Sequence, residues 1–131
     1  MNKNRVNNWI LLAKEAIVKC GISEDGKTVN KTFRGQISSF GAAVVMGSLQ
    51  SAVAFFADKG GASVQRDKLI EALYFIINNG EKKSAAEVFS WVCESKEDLK
   101  EQFEDASIAL KLALNFFELT EEKENTQNGE V

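Results

Sequence analysis

The chain's densest ionisable cluster is a run of carboxylates, Glu94, Glu97, Asp98, Glu101, Glu104 and Asp105. On one continuous helix, residues 94, 98, 101 and 105 would share a face, since positions three and four apart are neighbours there. Such a row could hold Mg²⁺ or Ca²⁺, or supply a general acid and base. The spacing lacks the ligand pattern of an EF-hand loop, however, and carboxylate rows in di-iron bundles work together with histidine. This chain has no histidine, and Lys96 and Lys100 interleave with the acids. Alternation of that kind marks a solvated or partner-facing surface, which is the expectation here.

The absence of histidine removes the commonest general base near neutral pH and the commonest transition-metal ligand. Cys20 and Cys93 stand far apart with no CxxC motif, so they cannot build a four-ligand zinc site. Both are expected to be buried thiols. Serine is plentiful, but without histidine the remaining activated-serine option is a Ser/Lys pair, and SxxK spacing does not occur. Gly35, Gly41 and Gly47 fit neither GxGxxG nor GxxxxGK[ST], so a packing role is expected of them. These absences point to a protein that is not an enzyme and takes no cofactor.

The elements that would carry any site read as helices. In 131 residues there is no proline, where average usage of ~5% would give about six or seven. That suits uninterrupted helix. Val6, Trp9, Ala13, Ala16, Ile17 and Cys20 recur at helical spacing over residues 4–20, and Gly21 supplies a stop. Residues 22–30 contain Asp25-Gly26 and read as a loop.

From Gly35 to Ala57 no charge appears, a run of 23 residues that could span a bilayer by length. Its glycines, serines and glutamines are too many for a span. It is read instead as a buried helix pair, 31–40 and 42–59, breaking near Phe40-Gly41. Val45, Leu49, Val53 and Phe56 would form the packing stripe of the second helix, placed at the centre of the core. Gly60-Gly61 ends that helix. A helix with inward Leu69, Ile70, Leu73, Ile76 and Ile77 follows, with Ser63 as its cap and Gly80 at its end. Ser84 opens another, and Ser95–Asp98 resembles a capping signal for the last.

In that last helix Leu99, Phe103, Ala106, Leu110, Ala113 and Phe117 form one stripe, and Ile108, Leu112 and Phe116 a second. The second stripe is the expected subunit interface. No strand alternation of useful length is seen. The expected fold is all-α: a compact single-domain bundle of five or six helices over 1–120, followed by a polar, disordered tail at 121–131. The N-terminus lacks signal-peptide character, so a cytoplasmic protein is expected.

Charge divides along the chain. The formal total is −3, but residues 1–68 sum to +5 and residues 69–131 to −8. Lys27, Lys31, Arg34, Lys59, Arg66 and Lys68 fall in loops or near expected helix ends. Such residues can converge and contact phosphates without reading bases.

The segment FRGQISSFGAAVVMGSLQSAVAFFADKGG, residues 33–61, with Asp67-Lys-Leu-Ile-Glu-Ala-Leu after it, resembles the small all-α subunit of the type III-B CRISPR effector, the Cmr complex. The likeness is carried by Phe33-Arg34, by Ile37-Ser-Ser-Phe-Gly41, and by Gly47-Ser-Leu-Gln-Ser-Ala-Val-Ala-Phe-Phe56 followed by a lysine. It departs from the family where relatives often carry a proline near Gly41, and where Ser48 separates Gly47 from Leu49. The resemblance implies a non-catalytic subunit stacked in several copies along a crRNA-guided particle. It also implies contact with guide and target RNA through phosphate and sugar, with RNA cleavage done by a neighbouring subunit. The partners implied are other Cmr subunits, copies of the chain itself, crRNA and target RNA, with no membrane and no small-molecule substrate. A helical adaptor that binds only protein is the alternative.

Overall fold

The computed structural model describes residues 1–58 and 66–121. Among these, the helices are α1 (Lys3–Lys19), α2 (Thr32–Met46), α3 (Leu49–Ala57), α4 (Asp67–Ile77), α5 (Ala85–Glu94) and α6 (Lys100–Ala113), the last continuing as a 3₁₀ turn over Leu114–Phe116. The all-α reading is right. Ser63 and Lys59, and the tail beyond Glu121, lie outside the described residues.

Local chemistry sets several of the helix ends. The Asn2 side chain accepts from the Arg5 amide and caps α1. Gly21 leaves α1 at φ +81°, a left-handed conformation that costs a side-chain-bearing residue energy. Ser84 and Glu87 form a reciprocal capping box at α5.

The break in the uncharged segment comes later than the sequence suggested. Helix α2 runs straight through Gly41 to Met46 and turns at Gly47, where a Cβ would lie 3.1 Å from the Ala43 carbonyl oxygen. Two effects account for the shift. Phe40 is fully buried between Phe56 and Phe103, which holds the helix together beyond it. Ser48 supplies the stronger start signal: its Oγ accepts from the Ser51 amide at 3.1 Å while Ser51 Oγ accepts from the Ser48 amide at 3.2 Å. A mid-helix glycine costs only ~1 kcal/mol, so packing overrides it.

The later break turns Val45 outward, where it is 65% exposed, while Leu49, Val53 and Phe56 are buried as expected. Helix α3, nine residues long, is not the centre of the core. That place belongs to α4 and α6, which contribute the fully buried Leu69, Ile70, Leu73, Ile76 and Phe103. All of the expected α6 stripe, Leu99 through Phe117, is buried.

Two strands went unseen in the sequence. Thr28–Asn30 (β1) pairs in parallel with Glu118–Thr120 (β2), Val29 opposite Leu119. Each is three residues long, too short to show alternation. Among the described residues no helix is long and apolar enough to cross a membrane.

Of the thiols, Cys20 is buried, but Cys93 is exposed, contrary to expectation. It follows Val92, which takes the inward position of that turn of α5. Burial, with the Glu71 carboxylate adding to it, pushes the Cys20 thiol up to about 11.

Removing the ring at the centre of the aromatic packing, Phe40→Ala, is expected to cost about 3–5 kcal/mol in urea denaturation, with an unchanged m-value. Thiol alkylation of the native protein at pH 8 is expected to modify Cys93 and spare Cys20, which reacts only after unfolding. Equal rates at the two positions would contradict the burial of Cys20.

Candidate nucleic-acid interface

Lys27, Lys31 and Arg34 fall at one corner, Lys27 and Lys31 at the two ends of β1 and Arg34 in the first turn of α2, each placed by backbone chemistry. In the loop after α1, Asp25 Oδ1 accepts from the amides of Lys27 at 2.9 Å and Thr28 at 2.8 Å and from Ser23 Oγ at 3.2 Å, while Oδ2 accepts from Thr28 Oγ1 at 2.9 Å. These donors, the Lys27 amide foremost, hold the Asp25 carboxyl far below the usual carboxylate range. The carboxylate is thus committed to shaping the loop.

The short sheet fixes both ends of β1. The Glu118 amide donates to the Lys27 carbonyl at 2.9 Å, and the Lys31 amide donates to the Thr120 carbonyl at 2.9 Å. Asn30 Oδ1 accepts from the Thr32 amide at 2.9 Å to open α2, and the Arg34 amide donates to the Lys31 carbonyl at 3.0 Å. All three cationic side chains are exposed. Lys31 pairs with the exposed Glu121. Among the described residues, neither Lys27 nor Arg34 is in an ion pair.

Of the other basic candidates, Lys59 lies outside the described residues, and Lys68 and Arg66 each bond a carbonyl of the fold. Lys68 Nζ donates to the Gly21 carbonyl at 3.0 Å, tying α4 to the end of α1. Arg66 Nε donates to the Phe55 carbonyl at 3.2 Å, and its guanidinium lies 4.3 Å from the centre of the Phe55 ring. At the far end of α2, a cleft of about 320 Å³ lies between Gly47–Gln50 and Ser95, Asp98 and Lys100, with Glu97 also on its wall. Its mixed lining, mostly uncharged with Glu97, Asp98 and Lys100, sets it apart from the basic corner.

The carboxylate row is not one face. Helix α5 ends at Glu94 and α6 begins at Lys100. Between them Ser95 Oγ accepts from the Glu97 amide at 3.1 Å and Asp98 Oδ1 from the Lys100 amide at 3.1 Å, turns that compete with helix. Asp105 is fully buried and structural: its Oδ2 accepts from Arg5 Nη2 at 2.7 Å, Arg5 Nε at 3.0 Å and the Asn2 amide at 3.2 Å. Among the described residues no group of three potential metal ligands occurs.

Of the expected interface stripe, Ile108 is half-buried, whereas Leu112 is 41% and Phe116 61% exposed. Lys14 Nζ sits 4.9 Å from the centre of the Phe116 ring. Sequence reasoning missed Leu11 and Val18, exposed on α1 either side of Lys14. Their seven-residue spacing, away from the Val6, Ala13 and Ile17 stripe, was the available signal.

No family model, no curated protein and no solved structure matches the chain.

Asp25 holds the loop in its charged form. Because its folded-state pKa lies below the unfolded value, the contribution is fully present above the ordinary carboxylate range and fades only as pH falls through the lower folded value. Asp25→Ala is expected to speed hydrogen exchange at the amides of Lys27, Thr28 and Glu118 while α4 and α6 remain protected. Unchanged exchange at those amides would show the loop to be held by other contacts.

Proposed function

We propose that the chain is a non-catalytic structural subunit of a type III-B CRISPR ribonucleoprotein, contacting guide and target RNA without sequence specificity in cytoplasmic antiviral defence. The observation that carries the reading is the corner where Lys27, Lys31 and Arg34 are presented by a backbone-fixed loop, sheet and helix start. Its Arg34 lies within residues 33–61, the segment that resembles the small Cmr subunit, and Lys27 and Lys31 come just before it. Cations on a rigid frame contact phosphates whatever the base sequence, leaving specificity to guide–target pairing.

Arg66 and Lys68 belong less directly to this surface, since each already bonds a carbonyl of its own fold. A chain of net charge −3 would bind RNA weakly alone. Its contribution would come through several copies acting together and with the other Cmr subunits. A protein-only helical adaptor is the second reading, favoured by the exposed Leu11, Val18, Leu112 and Phe116. In either case that apolar surface would meet another subunit or a copy of the chain.

Lys31→Glu combined with Arg34→Glu is expected to weaken RNA retention by the assembled complex. The slope of log affinity against log salt should flatten by about 1 for each phosphate that the variant no longer neutralises. Lys68→Met should lower stability and leave that slope alone. Identical salt titrations for wild type and the double variant would remove the corner from the RNA-binding surface, and co-purification of a protein partner without RNA would favour the adaptor.

A further inference from the structure

Among the described residues two aromatic rings stand more than half out of the protein, Phe55 at 60% and Phe116 at 61% exposed. A cation lies over each, but the two cations differ. Lys14 brings Phe116 a compact, strongly hydrated ammonium, whereas Arg66 brings Phe55 a planar guanidinium that can itself be stacked upon. The Phe55–Arg66 pair is also braced. Arg66 Nε donates to the Phe55 carbonyl at 3.2 Å, and the Phe56 ring, buried in the core, meets the Phe55 ring edge-on at 5.5 Å. Leu49, Ala52, Val53 and Phe56 take the buried face of α3, which leaves Phe55 on its outer side.

A guanidinium lying over a ring at 4.3 Å makes a cation–π pair of two delocalised planes, and the ring is 60% exposed. Unpaired RNA bases settle on surfaces of this kind, on aromatic rings or on Arg planes, and do so without regard to base identity because every base has a π-face. We propose that Phe55 and Arg66 form a stacking platform for one unpaired nucleobase of single-stranded RNA. This rests on the RNA-contact reading above and adds a base contact to its phosphate contacts. Arg66 then acts mainly as a planar surface, with its charge a secondary attraction for the strand.

The test compares a short oligoadenylate RNA with a strand of the same length made of abasic nucleotides, each titrated at low salt against the full chain by fluorescence anisotropy. The wild type is expected to bind oligoadenylate about 5-fold or more tightly than the abasic strand, the lower end of one stacked base. Phe55→Ala should bring that ratio to one with helicity unchanged by circular dichroism. Arg66→Lys, which keeps the charge and loses the plane, should do the same. The Lys31→Glu/Arg34→Glu variant should weaken both strands by the same factor and preserve the ratio. A ratio equal in wild type and Phe55→Ala would overturn the platform with the phosphate reading intact, freeing the pair to be an Arg–aromatic anchor for a protein. Failure of both strands to bind the wild type at low salt, with the chain raised well above the ~10⁻⁴ M weak end of non-specific binding, would overturn the RNA reading and the platform with it.

Discussion

The packing of this protein depends on a connected series of aromatic rings. Phe56 of α3 meets Phe40 of α2 edge-on at 5.5 Å, Phe40 meets Phe103 of α6 at 6.2 Å, Phe103 meets Trp91 of α5 at 6.0 Å, and Trp91 meets Tyr74 of α4 edge-on at 5.0 Å. One contiguous series therefore touches five of the helices. Aromatic pairs at such separations add about 0.5–1.5 kcal/mol beyond the area they bury, and each ring fixes the rotation of the helix that bears it. Helix α1, outside the series, is tied in by its buried Val6, Ala13 and Ile17 and by Arg5 on the buried Asp105. That pair is expensive to desolvate, so its value depends on the amide of Asn2 also reaching the same carboxylate oxygen.

This packing determines where the basic corner can form. With Phe33, Ile37, Phe40 and Val44 inward, α2 must present Arg34 to solvent. The 3₁₀ turn after α6 brings the chain round so that residues 118–120 lie beside 28–30. A three-residue parallel pair has little stability of its own. Here Val29 is buried beneath it and Asp25 supplies the loop's hydrogen bonds, so the corner draws its rigidity from both the core and the loop. A surface built from side chains alone would have to lose far more freedom on meeting a phosphate.

Much of this could be read from residue spacing, and the failures have identifiable causes. The stripes Leu69, Ile70, Leu73, Ile76 and Leu99 through Phe117 were legible because each repeats at helical spacing over several turns, and repetition averages out local noise. The break at Gly47 was misplaced because Gly41 looks like a breaker, while the aromatic contacts of Phe40 are between residues distant in sequence. The interruption of the carboxylate row was legible too, because Ser95 and Asp98 carry side chains that bond nearby amides, and the capping signal at Ser95–Asp98 marks the turn between α5 and α6. Of the basic candidates, Lys68 and Arg66 could not be told from Lys31 and Arg34, since only the fold brings Gly21 to one and Phe55 to the other.

The charge division along the chain takes on a different meaning in three dimensions. A basic first half and an acidic second half suggest opposite faces, one turned to RNA and one away. Yet Arg5 pairs with Glu101 and Asp105, Lys31 pairs with Glu121, and the N-terminal ammonium pairs with Glu101. Each of these joins the two halves, so part of the asymmetry is complementarity between segments that the fold brings together. The cations left for a partner at the corner are few, and an exposed ion pair such as Lys31–Glu121 is worth about 0–1 kcal/mol, little enough for a phosphate to displace the carboxylate. A surface so sparing in charge cannot hold a strand by electrostatics alone. In the function proposed above, the chain adds a small, sequence-blind contact to an assembly in which repetition supplies the affinity.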